Sequence, residues 1–302
     1  MLVAGALAAC GRGPEPAPET GFAPALAESL VHRQLAFGPR VPGTEAHAAA
    51  LEWMVGWLEE RADVVEPRPF THVTVAGDTL EMTNVWARFE PERSARILLL
   101  AHWDSRPVSE KATTLAARDQ PVPGANDGAS GVAVLLAVAD VLADDPPGVG
   151  VDILLTDGED WGYDPETLET EIDRMLLGAR HFAETEGDTY RPLFGILLDM
   201  VGDRDPRFPK EGFSVRFAPE VVQRVWNVAD ELGYGDVFVE SVGRSIMDDH
   251  VPLNRAGIRT INVIDFEYPW WHTPEDTADK ISARTLGMVG DVVLTVIRRA
   301  GS

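Results

Sequence analysis

Apolar positions along the chain follow two spacings, and the switching between them predicts the elements. From Phe22 to Phe37 the spacing of Leu26, Leu30, Val31 and Leu35 suits an amphipathic helix. The stretch Gly38-Pro39-Arg40-Val41-Pro42-Gly43 breaks it. Thr44 then caps a second helix running to about Arg61, with Trp53, Met54, Trp57 and Leu58 on its inner side as core residues. Two strands are predicted around Thr71–Val75 and Leu80–Phe89, joined by a Gly77-Asp78 turn. Beyond them, strands and helices alternate. Arg96–Ala101, Val151–Asp157, Leu193–Met200 and Arg259–Ile264 are short, nearly unbroken apolar runs of the kind buried on both faces of a parallel sheet. A short strand is predicted at Val237–Glu240. Helices are predicted at Val132–Leu142, about Glu171–Thr185, Pro219–Leu232, Val251–Ala256 and Ser282 to about Arg298. This alternation predicts an α/β three-layer sandwich, a central mixed and mostly parallel sheet flanked by helices. No internal repeat interrupts it.

Composition narrows the chemistry. With 302 residues and 45% hydrophobic content, the chain can bury one large core. The 26 basic residues against 49 acidic ones give a net charge of −23, which argues against nucleic acid or an anionic membrane surface as partner. The single cysteine, Cys10, excludes an intrachain disulfide and a cysteine-based zinc site. Any metal must be held by His, Asp and Glu.

The first residues read as targeting. Met1 to Ala9 is a short apolar, small-residue run ending Leu7-Ala8-Ala9-Cys10, too short to span a membrane. It resembles the lipobox of bacterial lipoproteins, in which the cysteine becomes the lipidated first residue. No basic segment precedes the run, which is read as a start lying upstream of Met1. The alternative is an untethered N-terminus with an incidental cysteine. Residues 11–25, rich in Pro, Glu and Ala, would form a semi-extended tether, leaving 26–302 as one catalytic domain. The expected location is the bacterial cell envelope, lipid-anchored on the periplasmic or outer-membrane face.

The candidate chemistry clusters just past the apolar strands. Leu154-Leu155-Thr156-Asp157-Gly158-Glu159-Asp160-Trp161-Gly162 runs a strand directly into two adjacent carboxylates. One of the two can bind a metal while the other handles protons; an acidic surface turn is the plainer alternative. His102-Trp103-Asp104-Ser105 ends another strand, and there Asp104 can orient the His102 imidazole through its second nitrogen. Gly124-Ala125-Asn126-Asp127-Gly128 precedes a helix, so Asp127 is either its N-cap or, given the small residues around it, a ligand for something bound closely. Asp199 closes a wholly apolar run, where a charge is costly unless paired or near a metal. His272 lies in an aromatic loop after the last strand. In a parallel sheet such ends share one rim, so these residues can meet. Two imidazoles with several carboxylates suit Zn²⁺ with an open coordination position.

Five ordered motifs together resemble the superfamily of zinc aminopeptidases and glutaminyl cyclases. They are His102-Trp103-Asp104-Ser105, Gly124-Ala125-Asn126-Asp127, Asp157-Gly158-Glu159-Asp160, Leu198-Asp199 and His272-Thr273-Pro274-Glu275-Asp276-Thr277. Asp248-Asp249-His250-Val251-Pro252-Leu253 and Trp271-His272 are similar to the glutaminyl-peptide cyclotransferase branch. That resemblance implies one zinc held by Asp127, Asp160 and His272, with Glu159 as catalytic acid/base and Asp248 as the acid anchoring the substrate amine. It also places Asp199 in the catalytic set and Trp271 beside the substrate, with Trp161 and Trp103 as further candidate pocket walls.

Two departures from the branch stand out. The acidic ligand is Asp160 where Glu is usual, and Asn262 stands at the substrate side where eukaryotic cyclases carry His. His102, Asp104 and Asp199 are candidates for a second metal or for supporting contacts, since two-zinc aminopeptidases use such residues. The activity implied is cyclisation of an N-terminal glutamine of a peptide or protein to pyroglutamate with release of ammonia. The alternatives are aminopeptidase hydrolysis with two zincs, or a catalytically silent, tethered binding module.

Overall fold

The structure, a computed structural model, describes residues 20–74, 77–162 and 174–302. The run ending at Cys10 that resembles a lipobox, the expected tether up to residue 19, Val75 and the predicted helix start at Glu171 lie outside the described residues. Thr20 is already buried, and Pro24 opens the first helix, so the chain joins the packed body before residue 25. Among the described residues no helix is long and apolar enough to cross a membrane.

In chain order the helices are α1 (Pro24–Leu35), α2 (Glu45–Glu59), α3 (Leu115–Arg118), α4 (Ala129–Asp144), α5 (Leu177–Glu186), α6 (Gly212–Phe217), α7 (Pro219–Glu231), α8 (His250–Arg255) and α9 (Ala283–Ala300). The strands are β1 (Val64–Val73), β2 (Thr79–Phe89), β3 (Arg96–His102), β4 (Gly150–Thr156), β5 (Phe194–Asp199), β6 (Phe208–Lys210), β7 (Phe238–Val242) and β8 (Thr260–Ile264). Six of the strands form one sheet in the order β1-β2-β4-β3-β5-β8, while β6 and β7 pair separately. The β1–β2 and β2–β4 pairs are antiparallel, and the β4–β3, β3–β5 and β5–β8 pairs are parallel.

The largest difference from the sequence expectation is β1. It begins at Val64 instead of about Thr71, although Pro67 and Pro69 lie within it. Because β1 is an edge strand, the proline nitrogens leave no ladder bond unmade, and Pro67 and Pro69 stand opposite Val85 and Thr83. A proline breaks a strand only where a neighbouring strand lies on the side of its missing N–H, and the sequence does not show which strand lies at an edge.

The central strands are buried along their whole length, and their period of two divides the core into layers. Ile97, Leu99, Ala101, Ile153, Leu155, Ile196 and Leu198 pack with α1, α4 and α9 residues. Leu98, Leu100, Leu154 and Leu197 face the other way, onto Phe182 of α5 and Leu253 of α8. Each such side chain contributes about 1.5–3 kcal/mol relative to exposure. Helix α4 lies directly on the sheet: a Cβ at Gly131 would stand 2.1 Å from the Leu198 carbonyl oxygen. This close approach fixes the α4 N-terminus against the β5 C-terminus, where Asp127 and Asp199 emerge.

Candidate metal centre and active site

The four parallel strands deliver their C-terminal ends to one rim. β3 ends at His102, β4 runs into the turn bearing Glu159 and Asp160, β5 ends at Asp199, and the loop after β8 brings back His272. Three groups able to hold a cation result, and two of them share Asp127. Ligand atoms of Asp127, Asp160 and His272 all lie within 4.8 Å of one another, and so do those of His102, Asp127 and Asp199. His272 Nε2 is 3.3 Å from Asp160 Oδ1 and 3.6 Å from Asp127 Oδ2. His102 Nε2 is 3.1 Å from Asp127 Oδ1 and 3.3 Å from Asp199 Oδ1. Asp127 thus turns one oxygen to each triad. The third group, His102, Glu159 and Asp160, meets the same spacing and would take Glu159 as a ligand.

Asp127 is not the N-cap of α4. That place falls to Gly128, and no side chain caps the helix. Gly128 has φ of 87°, and a Cβ there would meet the Asp104 carbonyl oxygen at 2.8 Å and His102 Cε1 at 3.0 Å, so only glycine fits. Two buried carboxylates hold the backbone beneath the ligands. Asp276 accepts from the N–H groups of Asn126 and Asp127 at 2.9 and 3.1 Å. Asp104 accepts from the N–H groups of Glu159 and Asp160, both at 3.1 Å. With both oxygens so engaged, and Oδ1 also 3.5 Å from His102 Nδ1, Asp104 supports the site and is not placed as a ligand.

So many buried acids strain one another electrostatically. Burial, with Asp160 adding repulsion, pushes Asp127 up to about 7 and Glu159 well above the usual carboxylate range. Burial likewise raises Asp248, and Asp199 and Asp249 add to it. Burial also opposes ionisation of Asp160, but the bond and charge of His272, together with His102 and Arg106, hold it below its ordinary value. Two buried guanidinium groups offset the cluster. Arg40 donates to the carbonyls of Trp103, Pro123 and Gly124. Arg106 donates to Glu110 and to the Asp160 carbonyl.

A small cavity lies over the triads, lined in part by Asp127, Glu159, Asp160, Asp199, Asp248 and His272, and it adjoins a wider cleft along Ile246, Met247, Phe266 and Trp271. Trp271 stacks obliquely on His272 with ring centres 4.0 Å apart and walls both spaces. The other substrate-side assignments are corrected. Trp103 is fully buried, stacked on His47 with centres 4.2 Å apart and donating to the Thr83 carbonyl, so it is core. Trp161 is half-buried and is not among the described residues that line the cavity. Asn262 is wholly buried and acts on Asp248, to which its Nδ2 donates.

The sequence reading did not single out Ile246, Met247, Phe266, Arg40, Arg106 or Glu110. Met247 and Phe266 had one signal, adjacency to chemistry-bearing positions. The i,i+4 spacing of Arg106 and Glu110 was visible within a loop otherwise notable only for charge and proline.

Both His102 nitrogens, Asp127 Oδ2, Asp160 Oδ2 and Asp199 Oδ1 are buried without a hydrogen-bond partner among the described residues. Orphaned donors of this kind, converging from four loops, are costly unless a cation satisfies them. The imidazole and carboxylate set suits zinc. Fold and site together place a buried cluster able to hold a metal ion on the C-terminal rim of an α/β sheet.

Comparison with known proteins makes the class specific. The model of peptidase family M28 matches residues 84–297, and the chain belongs to that family. It is 38% identical to the glutaminyl cyclase of Bacteroides thetaiotaomicron, whose crystal structure with N-acetylhistamine superposes with a TM-score of 0.88 over 93% of this chain and 99% of that one. It is 28% identical to the glutaminyl-peptide cyclotransferase of Drosophila melanogaster over 82% of this chain and 73% of the relative. It is 29% identical to aminopeptidase YwaD of Bacillus subtilis over 68% of this chain, which spans only 41% of that protein's length.

Proposed function

We propose that the chain is a zinc-dependent glutaminyl-peptide cyclotransferase acting on the N-terminal glutamine of peptides and proteins, held at a bacterial cell envelope through Cys10. The observation that supports it most is the placement of Glu159 and Asp248, two buried carboxylates raised by their surroundings, on one cavity with the Asp127–Asp160–His272 triad.

Zinc bound by Asp127, Asp160 and His272 would act as a Lewis acid, polarising the side-chain amide carbonyl of the substrate. The remaining steps fall to the chain's own residues. Asp248, fixed by Asn262 and by the N–H of Asp249, accepts from the substrate α-amine and aims its lone pair at the amide carbon. A new bond forms between that nitrogen and Cδ, and the bond from Cδ to the amide nitrogen breaks. Glu159 takes one proton from the attacking nitrogen and returns it to the departing one, which leaves as ammonia. Burial raises Glu159 and so makes it a stronger base for this transfer. Since the nucleophile is part of the substrate, much of the orientation entropy is supplied before binding. Trp271, Phe266, Ile246 and Met247 offer the apolar wall along which the peptide would leave the cavity.

The second triad supports a competing reading. His102, Asp127 and Asp199 could hold another metal, and a two-metal site favours activation of external water and peptide hydrolysis. One experiment separates the readings: metal content of the purified chain, with product analysis on glutaminyl and leucyl peptides. One tightly bound zinc, pyroglutamate and ammonia are expected, with little cleavage of leucyl substrates. Two tight zincs with release of free amino acids and no pyroglutamate would establish the aminopeptidase.

A further inference from the structure

The segment between β3 and Gly124 has no role in the chemistry above, yet it holds the metal centre from outside. Glu110 Oε1 lies 2.5 Å from His272 Nδ1, and Glu110 Oε2 accepts from Arg106 Nε at 2.8 Å. Arg106 Nη1 donates to the Asp160 carbonyl at 3.0 Å and stands 3.6 Å from Asp160 Oδ1. His272 Nε2 is 3.3 Å from that same Oδ1. Arg106, Glu110, His272 and Asp160 therefore form a closed ring joining two of the three ligands across more than a hundred residues of sequence.

The same segment also grips the His272 backbone. His272 has φ of 56°, in the left-handed region that a non-glycine residue adopts only when its surroundings enforce it. Its carbonyl accepts from the Lys111 N–H at 3.2 Å, so neighbouring residues of one loop hold its ring and its main chain. Arg106 is wholly buried, His272 nearly so and Glu110 half-buried, which leaves little room for the ring to reorient.

We propose that Glu110 is a positioning residue for the metal centre, an inference that rests on the metal reading above. An ionised carboxylate can only accept, so the His272 proton is assigned to Nδ1 and the lone pair of Nε2 is left to face Asp127 and Asp160. A carboxylate behind an imidazole also strengthens it as a donor. Arg106 extends the control to Asp160, so one outer pair sets the spacing between two ligands.

The test uses the full chain with Glu110→Ala and the near-isosteric Glu110→Gln, the latter keeping an acceptor but not the charge. Zinc affinity is measured by competition with a coloured chelator, the visible spectrum is recorded after cobalt substitution, and melting is followed without metal. Glu110→Ala is expected to lose about 10- to 100-fold in zinc affinity. Glu110→Gln should lose less, both should shift the cobalt bands, and metal-free melting should stay close to wild type. Should the alanine variant fail to fold, the glutamine variant decides. Zinc affinity within twofold of wild type and an unchanged cobalt spectrum overturn the proposal. So does an effect confined to metal-free melting, which marks a purely structural tie. A wild-type chain without zinc affinity overturns the metal reading along with it, whereas a wild type that binds zinc beside unaffected variants overturns this inference alone.

Discussion

Asn262 Nδ2, on the last parallel strand, donates to Asp248 Oδ2 at 2.5 Å, while the Asp249 N–H donates to Asp248 Oδ1 at 2.6 Å. Both oxygens are thereby fixed in a loop with no regular structure of its own. The proposed amine anchor is thus oriented by a residue that does not reach the cavity. Asp248→Ala is expected to retain zinc and to lose most cyclisation. Asn262→Leu should keep zinc and lower kcat/KM by about 10- to 100-fold, the loss of one hydrogen bond to a charged group. Steady-state kinetics with metal analysis checks both, and an unchanged kcat/KM for Asn262→Leu would remove Asp248 orientation from the mechanism.

Ligand and proton carrier are separable by mutation. Asp127→Ala, Asp160→Ala and His272→Ala should each strip zinc, because each takes one corner from the triad. Glu159→Gln should bind zinc normally and turn over about 10²- to 10⁴-fold more slowly, the usual contribution of a positioned acid/base. Metal content and single-turnover rates distinguish the two groups. Full zinc retention by the His272 variant would undo the ligand assignment.

Stability of the metal-free chain should fall as pH rises. Burial pushes Asp127 and Asp249 up to about 7 and Asp157 and Asp276 up to about 6. Between about pH 4 and 7 the folded chain therefore binds protons that the unfolded chain has released, so stability drops through that window. His102 and His272 add a loss in the same direction above about pH 6.5: burial opposes their protonation, but the surrounding carboxylates outweigh it. Asp160 and Glu211 are held low by their histidine partners against the cost of burial, stay ionised throughout, and add only a constant. Zinc replaces those protons, so its stabilisation should grow with pH. Melting from pH 5 to 8, with chelator and with zinc, checks this; a metal-free melting temperature that rises with pH contradicts it.

The proposed anchor rests on one atom, the Cys10 sulfur. When expressed with a complete leader in a bacterial host, the wild-type chain should partition with membranes, and Cys10→Ala should be released or mislocalised. Membrane fractionation with mass analysis of the N-terminal peptide reads the outcome. Soluble wild type carrying an unmodified Cys10 would remove the anchor.

Much of the fold was legible because its determinants are local. Four apolar runs too short for helices, alternating with 3.6-period segments, leave little besides a layered, mostly parallel sheet, and β3, β4, β5 and β8 lie within a residue or two of their expected bounds. The candidate ligands were legible for a related reason. Each of Asp127, Asp160, Asp199, His102 and His272 has a plain reading by itself, and it is their shared position at or near the ends of apolar strands that sets them out as a group.

What only the tertiary structure decided is how non-local neighbours share those groups. Asp104 reads as an acid orienting His102, and Asp276 appears only within the His272 motif, but the oxygens of both are taken by backbone N–H groups of other loops. Trp103, beside a candidate ligand in sequence, faces away from the cavity onto His47. Arg40 reads as part of a helix-breaking turn, yet its guanidinium is buried against the loop that carries Asp127. Periodicity assigns a side chain to a face, and residue type assigns it a chemistry. Which oxygen faces which donor is set by packing between segments far apart in the chain, and no local pattern encodes it.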